Sequence, residues 1–249
     1  MIQNADGAAE KTPRKMKRSY KVAGVLLGII VIYLLLGVLF WKIGMPAFMF
    51  KYEKNDKGGI TITDYRGTYL HVHIPDKING FEVTEIGEFA FSDYEAKDFP
   101  DNSTNFKAHC RFTIKKNIRE VIIPDTVEKI YGDAFFKCFK LEKVNIPSSL
   151  REIGYGHIFA YTKIKEIELP EGMTKINNCA FFYSSSLEKV TLPDSIEEIS
   201  DGAFKYCPNL KEINVPAGLK KIDLGVFEDT ALTDEQIQAF CDKAEDVLH

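Results

Sequence analysis

The chain has 249 residues, of which 45% are hydrophobic and 27% are charged, as in an ordinary globular protein. Residues 1–50 hold seven basic and two acidic side chains, a net charge of +5, whereas residues 51–249 hold 25 basic and 34 acidic ones, a net charge of −9. The acidic main body excludes nucleic acid as an expected partner, because affinity for phosphates requires clustered positive charge.

The first element predicted along the chain is a membrane-spanning helix. Residues 22–40, VAGVLLGIIVIYLLLGVLF, carry no charge, and a helix of this length spans about 28 Å, close to the roughly 30 Å of a bilayer core. Six basic residues precede the segment and only Lys42 follows it closely, so the positive-inside rule predicts a cytoplasmic N-terminus and an extracellular main body. We therefore predict a single-pass cell-membrane protein with a cytoplasmic basic tail at 1–21, a transmembrane helix at 22–41 and a linker at 42–57.

A cleaved signal peptide is the alternative interpretation of this segment. The apolar run is long for a signal peptide, and Lys42 and Met45 stand at positions where cleavage requires small residues. We therefore expect an uncleaved anchor that contacts the lipid bilayer through residues 22–40. Gly24 and Gly28 form a G-x-x-x-G pattern, which packs membrane helices together but also arises by chance. A weak homodimer through these two glycines is the corresponding expectation.

The main body consists of sequence repeats, in which equivalent positions lie a constant number of residues apart. Prolines recur at a single spacing at Pro124, Pro147, Pro170, Pro193 and Pro216. Strand-opening apolar residues recur at the same spacing at Ile118, Leu141, Ile164, Leu187 and Leu210. Around each proline the sequence follows the pattern L-x-x-[IV]-x-[IL]-P, and a period in the twenties with this pattern is typical of a leucine-rich repeat.

The repeat predicts a solenoid. The first apolar residues of each unit form a short strand, which the proline ends because it cannot donate a hydrogen bond to the ladder. Stacked units bury a continuous core. Each unit should also supply a small residue and an aromatic one, as in Ala134-Phe135, Ala180-Phe181 and Ala203-Phe204, with looser versions at His157-Ile158 and Val226-Phe227. The predicted fold is a leucine-rich repeat solenoid over residues 58–232, mainly short parallel β-strands with turns or short helices.

The amino-acid sequence of the repeats resembles that of a known family. The motif I-P…I-G-x-x-A-F-x-x-C and the opening segment GGITITDYRGTYLHVHIPDKINGFEVTEIGEFAF (residues 58–91) are similar to the BspA-type leucine-rich repeats of bacterial surface proteins. The resemblance covers roughly residues 58–232. It implies a cell-surface protein, since some members are adhesins that bind host matrix proteins or other cells, although many have no known ligand.

Two segments depart from the repeat. Residues 92–117 are polar and irregular, which is compatible with a binding loop on a rigid scaffold and, as we favour, with a degenerate repeat. Residues 233–249 have apolar side chains at helical spacing, and Thr233 with Gln236 forms the sequence pattern of a capping box. We predict that this C-terminal helix caps the open end of the core.

The sequence carries no motif that indicates catalysis or a cofactor. It lacks G-x-S-x-G, H-E-x-x-H, C-x-x-C, G-x-G-x-x-G and P-loop patterns, so we expect neither an enzyme nor a metal protein. His71 and His73 share a strand face, but no third ligand is near them in sequence. His157 takes the place of a repeat alanine and is interpreted as a core variant. Five free thiols are expected, at Cys110, Cys138, Cys179, Cys207 and Cys241.

Charges in the first strands alternate in sign from one repeat to the next. The two residues that follow each strand-opening residue read Arg119-Glu120, Glu142-Lys143, Lys165-Glu166, Glu188-Lys189 and Lys211-Glu212. In a parallel stack the equivalent side chains lie about 4.8 Å apart, so each charge has opposite neighbours. We interpret the alternation as a device that fixes strand register, and a ligand-binding face is the alternative.

The candidate ligand-binding residues lie on this strand face. The exposed column beside the charges is made of Ile122, Asn145, Glu168, Thr191 and Asn214, and the charges themselves include Lys143, Glu166 and Lys189. We predict that the protein is a membrane-anchored extracellular module that binds a protein or glycan through this face. The alternative is a structural or accessory envelope protein without an external ligand.

Overall fold

The computed structural model describes residues 13–92 and 117–248. It divides into two units, Met1–Leu39 and Phe40–His249. The predicted insertion at 92–117 lies outside the described residues except for its two end positions, as does the tail up to residue 12.

Helix α1 (Pro13–Ile43) contains the predicted membrane segment. Its most apolar stretch, Ala23–Phe40, has a mean hydropathy of 2.8, and none of it is buried. The helix is therefore long and apolar enough to cross a membrane, as expected for residues 22–41. It begins well before that segment, so residues 13–21 of the predicted tail are helical.

Residues 42–57 differ from the predicted linker. Strand β1 (Phe50–Lys54) pairs antiparallel with β2 (Ile60–Tyr65). Met45 and Phe50 are buried, with 2% and 4% of their surface exposed. This segment forms the N-terminal cap of the solenoid, because it supplies apolar side chains and a paired edge to the first turn.

Each turn of the solenoid contributes two short strands, which form two parallel ladders. The first ladder contains β3 (His71–His73), β6 (Glu120–Ile122), β8 (Lys143–Val144), β10 (Glu166–Glu168), β12 (Lys189–Thr191) and β14 (Glu212–Ile213). The second contains β2, β5 (Phe81–Ile86), β7 (Lys129–Ile130), β9 (Glu152–Ile153), β11 (Lys175–Ile176), β13 (Glu198–Ile199), β15 (Lys221–Asp223) and β16 (Asp246–Leu248). Strand β4 (Lys77–Ile78) pairs antiparallel with β5. Strand pairing is interrupted at one repeat junction, between β8 and β10 and between β9 and β11.

A ladder of aromatic rings fills the core along the solenoid axis. Neighbouring ring centroids are 5.0 to 5.8 Å apart through Tyr65, Phe91, Phe135, Phe159, Phe181, Phe204 and Phe227. The pair predicted at His157-Ile158 is wrong by one residue, since Phe159 provides the ring of that turn. Stacked, fully buried rings make the core continuous from one repeat to the next.

Hydroxyl side chains also join consecutive turns near the prolines. Thr126, Ser149 and Ser195 each donate a hydrogen bond to a backbone carbonyl of the preceding turn, on Val83, Val127 and Met173 respectively, at 2.7 Å in every case. These bonds satisfy carbonyl groups that would otherwise lack a partner in the narrow turns.

The C-terminal helix α2 (Asp234–Lys243) starts with the predicted capping box between Thr233 and Gln236. Its Phe240 is buried, with its ring 4.8 Å from that of Phe227, so the helix covers the last turn. The predicted helix over 233–249 is too long, because residues 246–248 form strand β16, which extends the second ladder in parallel with β15.

Candidate functional site

The predicted ligand-binding column lies beside the first ladder, and two of its members have structural partners. The side-chain amide of Asn145 accepts from the Ile123 N–H at 2.7 Å and donates to the Ile123 carbonyl at 2.8 Å. Asn214 makes the same pair of bonds to Leu192 at 2.7 and 2.8 Å. These carboxamides therefore continue the strand pairing beyond the end of the ladder. Glu168 is exposed, whereas Ile122 and Thr191 are half-buried.

The charges of the first ladder face opposite charges on neighbouring strands. Lys189 lies between Glu166 and Glu212 in the strand register, and its Nζ is 3.4 Å from a carboxylate oxygen of Glu212. Glu188 lies 3.7 Å from Lys165 and 3.5 Å from Lys211. Lys143 has the opposite charge of Glu120 beside it on β6 but no paired strand toward Glu166. Most charges of this face are therefore neutralised internally.

The second ladder carries a further alternating column that sequence reasoning missed. The column has two parts in strand register, one of Glu85, Lys129 and Glu152 and one of Lys175, Glu198, Lys221 and Asp246. Lys129 and Glu152 are 2.7 Å apart, as are Lys175 and Glu198. The hydrogen bond from Lys175 lowers the pKa of Glu198, and the bond to Glu152 raises the pKa of Lys129. The sequence shows this alternation, because Lys129, Glu152, Lys175, Glu198 and Lys221 each follow the proline of their repeat at the same distance.

An aromatic surface lies on the turns that follow the core rings. We define it by Phe136, Phe139, Tyr161, Phe182, Tyr183 and Tyr206, which lie in consecutive turns of the solenoid. Tyr161 and Tyr183 stack at 5.2 Å with an interplanar angle of 2°, and Tyr183 and Tyr206 are 4.6 Å apart. Phe139 and Tyr183 are 45% and 44% exposed. Phe136 is buried, and Tyr161, Phe182 and Tyr206 are half-buried.

Three of these tyrosines occupy a backbone conformation that favours other residues. Tyr161, Tyr183 and Tyr206 have φ angles of 60°, 55° and 61°. This left-handed region costs a residue with a side chain roughly 1–2 kcal/mol relative to glycine. Since glycine or asparagine would fit the turn with less strain, a tyrosine at the same position in three successive repeats points to a use for its ring.

Two lysines lie against the aromatic surface. The Lys137 ammonium is 5.0 Å from the ring centroid of Phe136 and 5.7 Å from that of Tyr161. Lys205 lies 5.2 Å from the ring of Tyr206 and forms an ion pair with Glu228, and the hydrogen bond of that pair raises the pKa of Lys205. These cations hold the rings in place through cation–π contacts.

The aromatic surface could have been recognised from residues that follow each core phenylalanine. The segments read FFK at 135–137, FAY at 159–161, FFY at 181–183 and FKY at 204–206. Once the first phenylalanine of each segment is assigned to the core ladder, the residue two positions later is a tyrosine in three of the four segments. The misassignment of Phe159 concealed this pattern.

The histidines and cysteines singled out in the sequence differ in their surroundings. His157 is not a core variant, because its side chain is 41% exposed and its Nδ1 lies 3.4 Å from the Asp133 carboxylate. His71 pairs with Glu120 at 3.1 Å. Among residues 13–92 and 117–248, no group of three His, Cys, Asp or Glu side chains has the arrangement of a metal site. Cys179, Cys207 and Cys241 are free thiols and Cys138 is buried, whereas Cys110 lies outside the described residues.

Comparison with known proteins identifies the repeat. The family model for the BspA type leucine rich repeat region matches six copies over residues 70–160 and 106–233. The crystal structure of TpLRR, a leucine-rich repeat protein of T. pallidum, shares 26% identity over 82% of this chain and 97% of its own, with a TM-score of 0.60. The pneumococcal vaccine antigen PcpA has the same fold at 23% identity and a TM-score of 0.54, over 75% of this chain and 48% of its own.

No curated protein matches the chain. The N-terminal apolar helix, a signal peptide or a membrane anchor, precedes a repeat domain whose family is generally non-enzymatic. The constant repeat interval, the paired parallel ladders and the six matched copies agree: this chain belongs to the BspA-type leucine-rich repeat proteins.

Proposed function

We propose that the protein is a membrane-anchored module that holds its solenoid outside the cell and binds a protein partner there through the aromatic surface. The observation that carries the proposal is the run of strained tyrosines over Tyr161, Tyr183 and Tyr206, of which Tyr183 is exposed and the other two are half-buried. Tyrosine is enriched among the residues that dominate binding energy, because its ring buries a large area and its hydroxyl bonds at the rim.

The ring arrangement favours a protein partner over a glycan. A sugar ring stacks on the flat face of an aromatic side chain, whereas the faces of Tyr161 and Tyr183 already cover each other at an interplanar angle of 2°. The stack therefore presents ring edges and hydroxyls to solvent. Edges and hydroxyls suit the mixed apolar and hydrogen-bonding contacts of a protein interface.

The anchor and its orientation support a role outside the cell. Basic residues flank the apolar helix on its N-terminal side, which favours a cytoplasmic N-terminus and an external C-terminal domain. Gly24 and Gly28 have no atom within 4 Å of an added Cβ, so a second copy of the helix has room to approach there. We propose a weak homodimer through these glycines as a secondary feature of the anchor.

The partner class can be tested with the full chain in detergent micelles. Labelled protein is applied to an array of extracellular and matrix proteins and to an array of glycans. The variant Tyr183→Ser with Tyr206→Ser should lose binding to its protein target by tenfold or more, because each hot-spot tyrosine contributes on the order of 1–2 kcal/mol. Tyr155→Ser is the matched control, since Tyr155 is 72% exposed and lies outside the aromatic surface.

The outcomes separate the competing functions. Binding to proteins that survives Tyr155→Ser but not the double variant supports the proposal. Binding to glycans alone would show that the partner is a glycan and not a protein. Failure to bind either array would favour a structural or accessory role in the envelope, in which the solenoid has no external ligand.

The strand face is the second candidate surface, favoured by the exposed Glu168 beside the first ladder. The full candidate set there is Ile122, Asn145, Glu168, Thr191, Asn214, Lys143, Glu166 and Lys189. Glu168→Lys in the same array experiment tests it: loss of binding in this variant, with retention in the double tyrosine variant, would move the site to the strand face.

A further inference from the structure

Exposed apolar side chains occur in the part of the chain where helix α1 joins the solenoid. Ile43, the last residue of the helix, is 69% exposed, Phe48 is 76% exposed and Leu70 is 43% exposed. We call these three residues the juxtamembrane patch. Ile43 and Phe48 are exposed to a larger fraction than Val25, which lies within the apolar stretch itself at 64%. Water is therefore a poor environment for the patch, as it is for that stretch.

The last residue of the apolar stretch packs against the first turn of the solenoid. The rings of Phe40 and Tyr69 meet edge to face with their centroids 5.7 Å apart, and both side chains are partly buried against the core. Leu70 follows Tyr69 directly, and its carbonyl accepts the Arg119 N–H at 2.7 Å. The backbone of Leu70 is therefore held close to the residue at which the stretch Ala23–Phe40 ends.

The chain that follows helix α1 is bonded to the same turn. Gly44 has a φ angle of 87°, a left-handed conformation that ends the helix, and an added Cβ there would lie 3.3 Å from Pro75. The Met45 N–H donates to the His73 carbonyl on β3 at 2.9 Å. Main-chain contacts, and not a free linker, therefore join the end of the helix to the first turn.

Phe48 is held outward by the residues beside it. It lies in a single 3-10 turn at Ala47–Met49, in which the Met49 N–H donates to the Pro46 carbonyl at 3.0 Å. Met49 is buried, and its carbonyl accepts the Arg66 N–H at 2.7 Å. Because Met49 occupies the inward position of this turn, the ring of Phe48 remains on the surface.

The lipid interface is the apolar environment within reach of this part of the chain. A bilayer core of roughly 30 Å is bordered on each side by a headgroup layer of about 5–8 Å. At a rise of about 1.5 Å per residue, Ile43 lies about 4.5 Å beyond Phe40 along the helix axis, and the Tyr69 ring lies 5.7 Å from that of Phe40. These distances match the thickness of one headgroup layer. With residues 23–40 across the membrane, Ile43 and the segment 69–70 lie at the lipid interface.

We propose that the juxtamembrane patch inserts into the interface of the bilayer that holds helix α1, so that Phe48 and Leu70 contact lipid and the first turn of the solenoid rests on the membrane. This inference rests on the membrane anchor of the proposed function, and it does not depend on the aromatic surface or its partner. Lys42 is exposed beside Ile43, and a lysine in this place extends its ammonium to the headgroup phosphates while its stem lies along apolar surface.

Tryptophan emission in lipid vesicles tests the contact. Trp41 is the single tryptophan of the chain, so Trp41→Phe provides a background into which Phe48→Trp and Leu70→Trp are introduced one at a time. The full chain is reconstituted in phosphatidylcholine vesicles, with or without bromine atoms near the headgroup end of the acyl chains. Bromine should lower the emission of each probe roughly twofold, because an interfacial apolar side chain lies only about 5–10 Å into the headgroup and acyl boundary.

Leu224→Trp in the same background is the matched control. Leu224 is 54% exposed and follows β15 in the last repeat, far along the solenoid from the first turn. Its emission should be the same in both kinds of vesicle. Melting temperatures of the variants report whether the solenoid is intact.

Flotation of the vesicles on a density gradient separates failure of the anchor from failure of the patch. A chain that floats with the vesicles, and whose Phe48→Trp and Leu70→Trp probes are both quenched more than Leu224→Trp, supports the inference. A folded chain that floats but has either probe quenched no more than the control overturns the inference and leaves the anchor standing. A chain that does not float overturns both.

Discussion

At the residue scale, the ion pair between Asp133 and His157 makes the stability of the solenoid depend on pH. The pKa of His157 is raised from 6.5 to about 9 by its hydrogen bonds with Asp133 and Cys179. The folded state therefore binds the proton more tightly than the unfolded chain does, and the stabilisation is fully present below pH 6.5 and lost as the pH rises through about 9. The effect is reduced by solvent, because the imidazole is 41% exposed.

The corresponding prediction compares the parent protein with His157→Gln by urea unfolding at pH 6 and at pH 10. The parent should be more stable than the variant at pH 6, and the difference should shrink at pH 10. Asp133→Asn should show the same trend, since it removes the opposite charge. An equal difference at both pH values would mean that His157 does not carry its proton in the folded state.

Single residues also show why part of the core could not be predicted. The prolines, such as Pro147 and Pro170, keep a constant spacing, but the core rings of Phe135, Phe159 and Phe181 do not. An extra residue before Phe159 is offset by a missing residue before Phe181. The period read from the prolines therefore assigns Ile158 to the ladder and conceals the role of His157.

At the scale of elements, the two charge ladders should stabilise the strand register. Exchanging residues 188 and 189 by Glu188→Lys with Lys189→Glu places like charges beside Lys165, Lys211 and Glu212, where attractive contacts of 3.4 to 3.7 Å now exist. We expect a loss of about 1 kcal/mol in the free energy of unfolding at low salt, because exposed cross-strand pairs contribute little each. The loss should shrink at high salt.

The same exchange at Glu142-Lys143 is the matched control. These residues have the same order of charges, but β8 pairs with β6 and not with β10. They therefore have an opposing strand on one side only, and their exchange should cost about half as much. If both exchanges leave urea unfolding at low salt unchanged, the alternation does not contribute to stability, and the charges of the strand face would be free for a ligand.

The N-terminal cap provides a second test at this scale. Phe50 on β1 is 4% exposed, whereas Phe48, two residues earlier, is 76% exposed. Phe50→Ala in the full chain should reduce the free energy of unfolding by about 3–5 kcal/mol, as for other buried phenylalanines. Phe48→Ala should have little effect. Equal effects of the two substitutions in denaturant unfolding would contradict the assignment of residues 44–54 to the folded core.

The repeated strands of the first ladder and the capped helix α2 were predictable, whereas strands β1 and β16 were not. The proline and leucine spacing predicts the first ladder because the same spacing recurs in every repeat. The capping box predicts the start of α2. Strand β1 precedes the first repeat and pairs antiparallel with β2, and its sequence does not follow the repeat pattern, so it looks like a linker. Strand β16 follows a helical pattern in the sequence but completes the second ladder by backbone pairing with β15.

For the whole molecule, the candidate site follows from stacking rather than from any one motif. Tyr161, Tyr183 and Tyr206 are each ordinary in sequence, and they form a surface only because the solenoid places equivalent turns about 5 Å apart. The strand-face column was the expected site because its positions are visible in the repeat. The structure shows that two of its members, Asn145 and Asn214, bond the neighbouring backbone.

The proposed function requires the solenoid to lie outside the cell membrane, and protease treatment of intact cells tests this most directly. Protease added to cells without an outer barrier should degrade the repeat domain and leave a small membrane-bound fragment that contains helix α1 (Pro13–Ile43). A cytoplasmic protein of the same cells serves as the control for an intact envelope. Full protection of the repeat domain, with the control also intact, would place the solenoid inside and contradict the proposed function.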